Sequence, residues 1–174
     1  MTKLPHTTKP ADDYQTPASA LLPLLPHLIE YGWRLNPPRK PIVWECAEGK
    51  GNLSQALRNE GLKVIGTDVL TGQDFLMWQP EEPWDCIVTN PPYSLKEAFL
   101  ERCYLLGKPF ALLLPVTTLE APRRQTLLKD FGTEIIFFRK RVRFETPTGE
   151  SSSPWFAVAW FTWGFGIGKE LNFP

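Results

Sequence analysis

The 174-residue sequence has few of the residues that most easily mark a class of protein. Its three cysteines are an odd and sparse count, which excludes a disulfide scaffold. The two histidines, His6 and His27, approach no metal-ligand spacing and support no serine–histidine–acid set, so we predict no metal site. Basic and acidic residues number 19 each, and the resulting zero net charge provides no general attraction to nucleic acid or membranes.

Long apolar runs are also missing. No stretch approaches the roughly 20 apolar residues that span a bilayer, and no secretory signal is recognisable, so we expect a cytoplasmic protein without a membrane partner. What is present is an apolar fraction of 43%, enough for an ordinary packed core. The length fits one domain, and we expect a flexible N-terminal arm over residues 1–13 and a single domain over residues 14–174.

Strand-like and helix-like segments alternate along the chain. Expected strands cover residues 42–47, 63–69, 75–78, 85–89, 110–116, 134–139 and 155–163. Expected helices cover residues 18–31, interrupted by Pro23 and Pro26, and residues 53–59, 94–106 and 119–131. This alternation predicts an α/β fold with an open, mostly parallel sheet of seven strands and helices on both faces. Because no helix separates the last two strands, they should be antiparallel neighbours.

Three places at the carboxyl ends of the expected strands have residues suited to a ligand. The turn Glu45-x-x-x-Gly49-x-Gly51 follows the first strand, and its glycines let the backbone approach a ligand closely at the start of a helix. Asp68 ends the second strand, where a carboxylate can accept hydrogen bonds from both hydroxyls of a ribose. Further on, the pair Asp74–Phe75 could hold an adenine by its amino group and its face.

Each of these signals also has a purely structural interpretation. Asp68 fits a loop cap equally well, and Glu45 could be a buried, hydrogen-bonded acid. A phosphate-binding G-x-x-x-x-G-K-[ST] loop is absent because Asn52 and Leu53 follow Gly51, and the third glycine of the dinucleotide fingerprint is missing. The joint placement of these residues therefore favours a nucleotide-like cofactor without phosphates.

The tetrapeptide Asn90-Pro91-Pro92-Tyr93 directly follows the expected strand 85–89. Two consecutive prolines fix φ near −65° and have no N–H, so this backbone is stiff and presents carbonyl oxygens without donors. The Asn90 side-chain oxygen and the Pro91 carbonyl could together accept both hydrogens of an –NH₂ group, while Tyr93 supplies a flat face for its ring. A rigid turn that only ends the strand is the alternative.

These residues resemble the class I S-adenosylmethionine-dependent methyltransferases, in particular the branch that methylates amino groups. Asn90–Tyr93 resembles that branch's [DNS]-P-P-[YF] signature, and residues 45–51 resemble its glycine loop. Upstream, Tyr14–Pro17 resembles the T-P element that helps to hold the methionine end of the cofactor in adenine-N6 DNA methyltransferases. The resemblance spans roughly residues 12–163, in the gamma-type motif order, and extends to the small adenine methyltransferases of phages and mobile elements.

The resemblance implies a Rossmann-like fold, S-adenosyl-L-methionine as cofactor, and methyl transfer to the exocyclic N6 of adenine in DNA. It implies a catalytic loop of Asn90, Pro91, Pro92 and Tyr93. The implied cofactor site consists of Tyr14, Thr16, Pro17, Glu45, Ala47, Gly49, Gly51, Asp68, Val69, Asp74, Phe75 and Asn90. RNA adenine, cytosine N4 and a protein glutamine amide stay open as acceptors, since each presents a planar conjugated –NH₂.

The sequence departs from the family pattern in two respects. Glu48 and Lys50 place charges in a loop that is usually small and neutral, and no target-recognition segment is visible. A separate specificity subunit, or a binding module that has lost catalysis, is therefore an alternative. Partner nucleic acid, DNA in the leading hypothesis, would contact the local concentration of basic residues, for which a solvated edge is the other interpretation. These residues are Arg123, Arg124, Arg141 and Arg143.

Overall fold

The computed structural model describes residues 14–145, 151–152, 154 and 156–174, so the arm expected over residues 1–13 lies outside the described residues. The helices are α1 Leu25–Trp33, α2 Asn52–Asn59, α3 Lys96–Leu106 and α4 Pro122–Phe131. The strands are β1 Ile42–Glu45, β2 Lys63–Gly66, β3 Cys86–Thr89, β4 Phe110–Pro115, β5 Glu134–Ile136, β6 Phe144–Glu145, β7 Ser151–Ser152, β8 Val158–Trp163 and β9 Leu171–Asn172.

Within the described residues, seven strands form one sheet in the order β2-β1-β3-β4-β8-β5-β9. Strands β1 to β4 run parallel to one another, and β8 lies antiparallel between β4 and β5. The predicted antiparallel pairing of the last two strands is thus confirmed, with β8 also pairing with β4. The small antiparallel hairpin β6-β7 stands apart from this sheet.

The two faces of the sheet are covered by different helices. Adjacent residues of β1 show the division, since Val43 packs in the same core cluster as Leu28 of α1 and Leu57 of α2. Trp44 packs in the other cluster, which contains Leu100 of α3 and residues of α4. Successive residues of a strand point to opposite faces, so one strand contributes to both cores. This arrangement confirms the predicted helices on both faces.

The predicted strand at residues 75–78 is wrong. This stretch forms a turn in which the N–H groups of Met77 and Trp78 donate to the Asp74 carbonyl. Its aromatic residues mark burial rather than strand, because Phe75 packs between Trp44 and Phe99. The seventh strand is instead β9, which is two residues long and parallel to β5; a strand that short has no periodicity to detect.

The first predicted helix is interrupted, as expected from its prolines. A 3₁₀ turn over Ala18–Leu21 precedes α1, which has proline at the start of its first turn, where no N–H is needed. No helix in the described part of the chain is long and apolar enough to cross a membrane.

Candidate active site

A cavity of about 390 Å³ opens at the carboxyl ends of β1, β2 and β3. Ligand sites of open α/β sheets lie at this edge, and the volume falls in the range of small-molecule sites. Of the residues expected to bind a cofactor, Pro17 and Gly51 do not line the cavity. Those that line it are Tyr14, Thr16, Glu45, Ala47, Gly49, Asp68, Val69, Asp74, Phe75 and Asn90.

The glycine turn after β1 is held from two sides. Gly49 and Gly51 have φ of +55° and +83°, a region that residues with a Cβ rarely adopt. The N–H of Gly49 donates to the Asp68 carboxylate at 2.9 Å, and the N–H of Lys50 donates to Gln15 Oε1 at 3.2 Å. Gly51 lies outside the cavity because it is the residue before α2, where it turns the chain into the helix.

Asp68 acts as a loop cap in the structure. One carboxylate oxygen accepts the Gly49 N–H, and the other accepts the N–H of Leu70 at 2.8 Å, within the 3₁₀ turn Val69–Thr71. The interpretation of Asp68 as a loop cap is therefore confirmed. A carboxylate oxygen can accept two hydrogen bonds, so capping leaves acceptor capacity toward the cavity that Asp68 also lines.

Glu45 is a fully buried acid at the end of β1. Its Oε1 accepts hydrogen bonds from the Thr89 hydroxyl and, at 3.1 Å, from the N–H of Ala47. Burial, together with the charges of Glu48 and Asp68, raises the pKa of Glu45 to about 8 despite the two hydrogen bonds that lower it. Glu45 is therefore protonated at neutral pH, and it joins the end of β1 to the end of β3.

Asn90 presents an acceptor that the described part of the chain does not use. Its amide Nδ2 donates to the backbone carbonyl of Tyr14 at 2.9 Å. Its Oδ1 is buried, and no group in the described part of the chain hydrogen-bonds to it. A buried acceptor left unpaired is costly, and a water molecule or a donor group of a ligand can satisfy it.

The rest of the Asn90–Tyr93 loop is less exposed to the cavity than expected. Pro92 lines the cavity, whereas Pro91 is buried and does not. The Tyr93 ring does not line it either, because it is buried against Tyr14 and Phe156, at centroid distances of 5.7 Å and 5.6 Å. The flat face that the sequence predicted for an acceptor ring is thus covered in this structure.

Two residues that sequence reasoning missed shape the cavity wall. Gln15 is buried, and its backbone exchanges two hydrogen bonds with Glu145 of β6. The Glu48 carboxylate packs on Gly66 so closely that a Cβ there would clash, and it lies 3.6 Å from Arg58. The cavity position of Gln15 could have been predicted from its place next to Thr16. The local sequence around Glu48 does not indicate its contact with Gly66 of β2.

The four arginines expected to contact nucleic acid divide into two pairs with different surroundings. Arg123 and Arg124 form ion pairs with Glu97 of α3, and Arg123 also pairs with Glu101 at 2.6 Å. Arg124 further donates to the carbonyl of Thr118 at 2.8 Å. The structure thus uses both arginines to join α4 to its surroundings, and it provides no support for their predicted contact with nucleic acid.

Arg141 and Arg143 are exposed and alternate with buried Val142 and Phe144. Exposed and buried residues thus alternate from Arg141 to Phe144, although the strand begins only at Phe144. Residues 139–143 line an open groove of about 720 Å³ together with Ser19 and Ala20. The groove contains the basic residues Arg139, Lys140, Arg141 and Arg143. It lies near the candidate site, because the next residue, Phe144, contacts Tyr14.

Within the same described residues, no group of three or more histidine, cysteine, aspartate or glutamate side chains is arranged to hold a metal ion. The three cysteines are buried and unpaired. Burial raises the pKa of the Cys46 thiol well above its ordinary value, so it is a poor nucleophile even though it lines the cavity.

Comparison with solved structures identifies the fold. A candidate class I S-adenosylmethionine-dependent methyltransferase from Listeria monocytogenes aligns with a TM-score of 0.61 over 97% of this chain and 67% of that chain, at 16% identity. A precorrin-6y C5,15-methyltransferase from Geobacter metallireducens aligns over 94% of this chain and 99% of that chain at 14% identity, with a TM-score of 0.45 that supports no conclusion. No protein-family model and no curated protein matches the sequence. The chain has the Rossmann-like fold of class I methyltransferases, as predicted.

Proposed function

We propose that this protein is an S-adenosylmethionine-dependent N-methyltransferase whose acceptor is the exocyclic N6 of adenine in DNA. The observation that carries the proposal is the unpaired, buried Oδ1 of Asn90, a residue that lines the cavity. An –NH₂ group can donate to such an acceptor, and Asn90 is followed by two prolines that add no competing N–H.

The charges in the cavity fit this cofactor. Glu48, Asp68 and Asp74 line it, against the single cation Lys50 among the described lining residues, and the pKa of Glu45 keeps that acid neutral. Phosphates would be repelled by this set, whereas a positively charged sulfonium is attracted. When bound, S-adenosylmethionine supplies an electrophilic methyl group. Asp68 would hold the ribose and Asp74–Phe75 the adenine, as the sequence resemblance implies.

The chain's own contribution to the reaction is positioning. An exocyclic ring nitrogen is a poor nucleophile because its lone pair is conjugated into the ring. Asn90 Oδ1 would accept a hydrogen bond from one hydrogen of that nitrogen and help to direct its lone pair toward the methyl group. The sequence assigns the second hydrogen bond to the carbonyl of Pro91, a buried residue that does not line the cavity in this structure. Preorganised acceptors of this kind lower the barrier without a strong base, which the lining residues do not supply.

Nucleic acid as the acceptor is favoured by the basic groove of residues 139–143. Arg141 and Arg143 are exposed on the segment that leads into Phe144, whose ring lies 5.4 Å from Tyr14. Phosphates bound there would bring the polymer next to the Asn90 loop. In duplex DNA the target base would be flipped out of the stack before transfer. The described domain contains no separate recognition unit, so a specificity subunit remains part of the proposal.

The experiment measures transfer of labelled methyl from S-adenosylmethionine to mixed DNA and RNA at low salt, followed by nucleoside analysis. We expect label in N6-methyladenine, and Asn90→Ala should lower the rate by roughly 10²–10³-fold, as expected for loss of a preorganised polar contact. Asn59→Ala is the matched control, because Asn59 on α2 accepts only from Gln55 in the described structure and should leave transfer unchanged.

Other results would redirect the proposal. Label in RNA adenine, in N4-methylcytosine or in a glutamine-containing protein would keep the chemistry and change the acceptor. Cofactor binding without transfer to any of these would favour a binding module or a required partner. Equal transfer by wild type and Asn90→Ala would contradict the role given to Asn90.

A further inference from the structure

The ring of Tyr14 covers one face of the Tyr93 ring. The two rings are stacked, with centroids 5.7 Å apart and an interplanar angle of 24°. Phe144 contacts Tyr14 at 5.4 Å, and Phe156 lies edge-on to both tyrosines. Tyr14 also lines the cavity, whereas Tyr93 does not.

No second ring fits between the two tyrosines in this arrangement. A ring inserted between two others needs roughly 7 Å, since each stacked contact takes about 3.5 Å between carbon atoms. The observed 5.7 Å is shorter, so a target ring can stack on this face of Tyr93 only if Tyr14 moves. The Asn90 amide, which would bind the amino group of such a ring, donates to the backbone carbonyl of this same Tyr14.

The segment that contains Tyr14 is connected to the cofactor loop. We call residues 14–16 the strap. Gln15 pairs with Glu145 through N–H···O bonds of 3.3 Å and 3.2 Å, and its Oε1 accepts the N–H of Lys50 in the glycine turn. Thr16 is buried and lines the cavity. The strap therefore touches the acceptor side through its first residue and the cofactor side through its second.

We propose that Tyr14 is a specificity-determining residue that closes the acceptor subsite and is displaced by a flat aromatic ring. This inference rests on the proposed function and narrows its acceptor to a nucleobase. A nucleobase that replaces Tyr14 on the Tyr93 face regains the stacking that is lost, because every base has a π-face. A glutamine side chain has no ring with which to compensate, so it meets a closed subsite.

The test compares binding of two fluorescein-labelled single-stranded oligodeoxynucleotides, identical except that one has an adenine where the other has an abasic site. The dissociation constant of the abasic oligonucleotide divided by that of the adenine oligonucleotide isolates the contribution of the base to binding. Tyr14→Ala should raise this ratio by roughly five- to one-hundredfold over wild type, the range of one base–aromatic stack. Tyr14→Phe is the matched control, since it retains the ring and should keep the wild-type ratio. In Tyr14→Ala a glutamine-containing peptide should gain less than the adenine oligonucleotide, because it can enter the opened subsite but cannot stack on Tyr93.

A ratio that stays the same or falls in folded Tyr14→Ala would overturn the proposal, as would an equal gain in binding of the peptide. If Tyr14→Ala does not fold, Tyr14→Leu keeps apolar volume against Phe144 and Phe156 but has no ring to stack, and it is read in the same way. Calorimetric titration with S-adenosylmethionine on the same proteins separates the two hypotheses. If wild type does not bind S-adenosylmethionine, the proposed function is contradicted. If wild type binds S-adenosylmethionine but the ratio of dissociation constants is the same in wild type and Tyr14→Ala, only the role of Tyr14 is contradicted.

Discussion

Replacing Glu45 by glutamine should change how the free energy of unfolding depends on pH. Burial raises the pKa of this acid from its ordinary 4.5 to about 8 in the folded protein. Below the unfolded-state pKa, Glu45 is protonated in both states and its ionisation costs nothing. As the pH rises from there to about 8, unfolding releases a proton that the folded state retains, so stability is lost progressively through this window.

The size of the effect follows from the two pKa values. Each unit of difference corresponds to about 1.36 kcal/mol, so the full loss above pH 8 is roughly 5 kcal/mol. This is comparable with the whole unfolding free energy of many domains, about 5–15 kcal/mol. Glutamine has nearly the same shape, retains an acceptor for Thr89 and Ala47, and cannot ionise. Glu45→Gln should therefore lie within about 1 kcal/mol of wild type at pH 5 and exceed it in stability at pH 9.

Urea unfolding at several pH values between 5 and 9 measures this difference. Subtracting the two curves removes every other titrating group, including the cysteines, because both proteins share them. Thr89→Val provides a control: it deletes the hydroxyl donor that lowers the pKa of Glu45 and keeps the carboxyl, so its stability should still fall steeply with pH. Parallel curves for wild type and Glu45→Gln across this range would refute the reasoning.

Two further predictions concern charged side chains at the surface. Burial alone would raise the pKa of Asp85, but the Arg39 guanidinium at 2.5 Å and 2.9 Å and the Ile42 N–H lower it on balance. Arg39→Ala should therefore reduce the free energy of unfolding at pH 7 by about 1 kcal/mol, a modest value because the Arg39 side chain is partly exposed. The loss should vanish in acid, where Asp85 is protonated in both proteins. An undiminished loss at low pH would contradict this prediction. Arg143→Ala should weaken binding of DNA and reduce the slope of log K against log salt by about one. Arg123→Ala should leave both quantities unchanged, because the charge of Arg123 already pairs with α3. Fluorescence anisotropy across a salt series measures both variants, and equal effects would contradict the different roles given to Arg123 and Arg143.

Much of the architecture could be predicted from the sequence because it depends on local patterns. The apolar segments alternate with the periods of strand and helix, so the parallel sheet, its covering helices and the antiparallel β8 followed from the order of elements. The failures were segments whose state depends on distant partners. Residues 75–78 have strand-like composition but pack as a turn against Trp44 and Phe99, and β9 exists only because β5 offers an unpaired edge.

The candidate site shows the same division. The sequence placed Asn90, Asp68 and the glycine turn at the ends of neighbouring strands, and parallel strands bring such ends to one edge of a sheet. Their hydrogen-bonding states were not predictable in this way. Whether Asp68 caps a loop and whether Glu45 keeps its proton depend on donors and on burial supplied by other parts of the chain.

By itself, then, the sequence determined the residue types at each strand end and the stiffness of the Asn90–Tyr93 backbone. These properties arise from covalent geometry and from neighbours along the chain, and they do not require the rest of the fold. Only the tertiary structure decided that Tyr14 covers Tyr93 and that Arg123 pairs with α3 while Arg143 stays exposed. The physical reason is that burial, stacking and ion pairing depend on distances between residues far apart in the chain, and those distances exist only once the sheet and helices have packed.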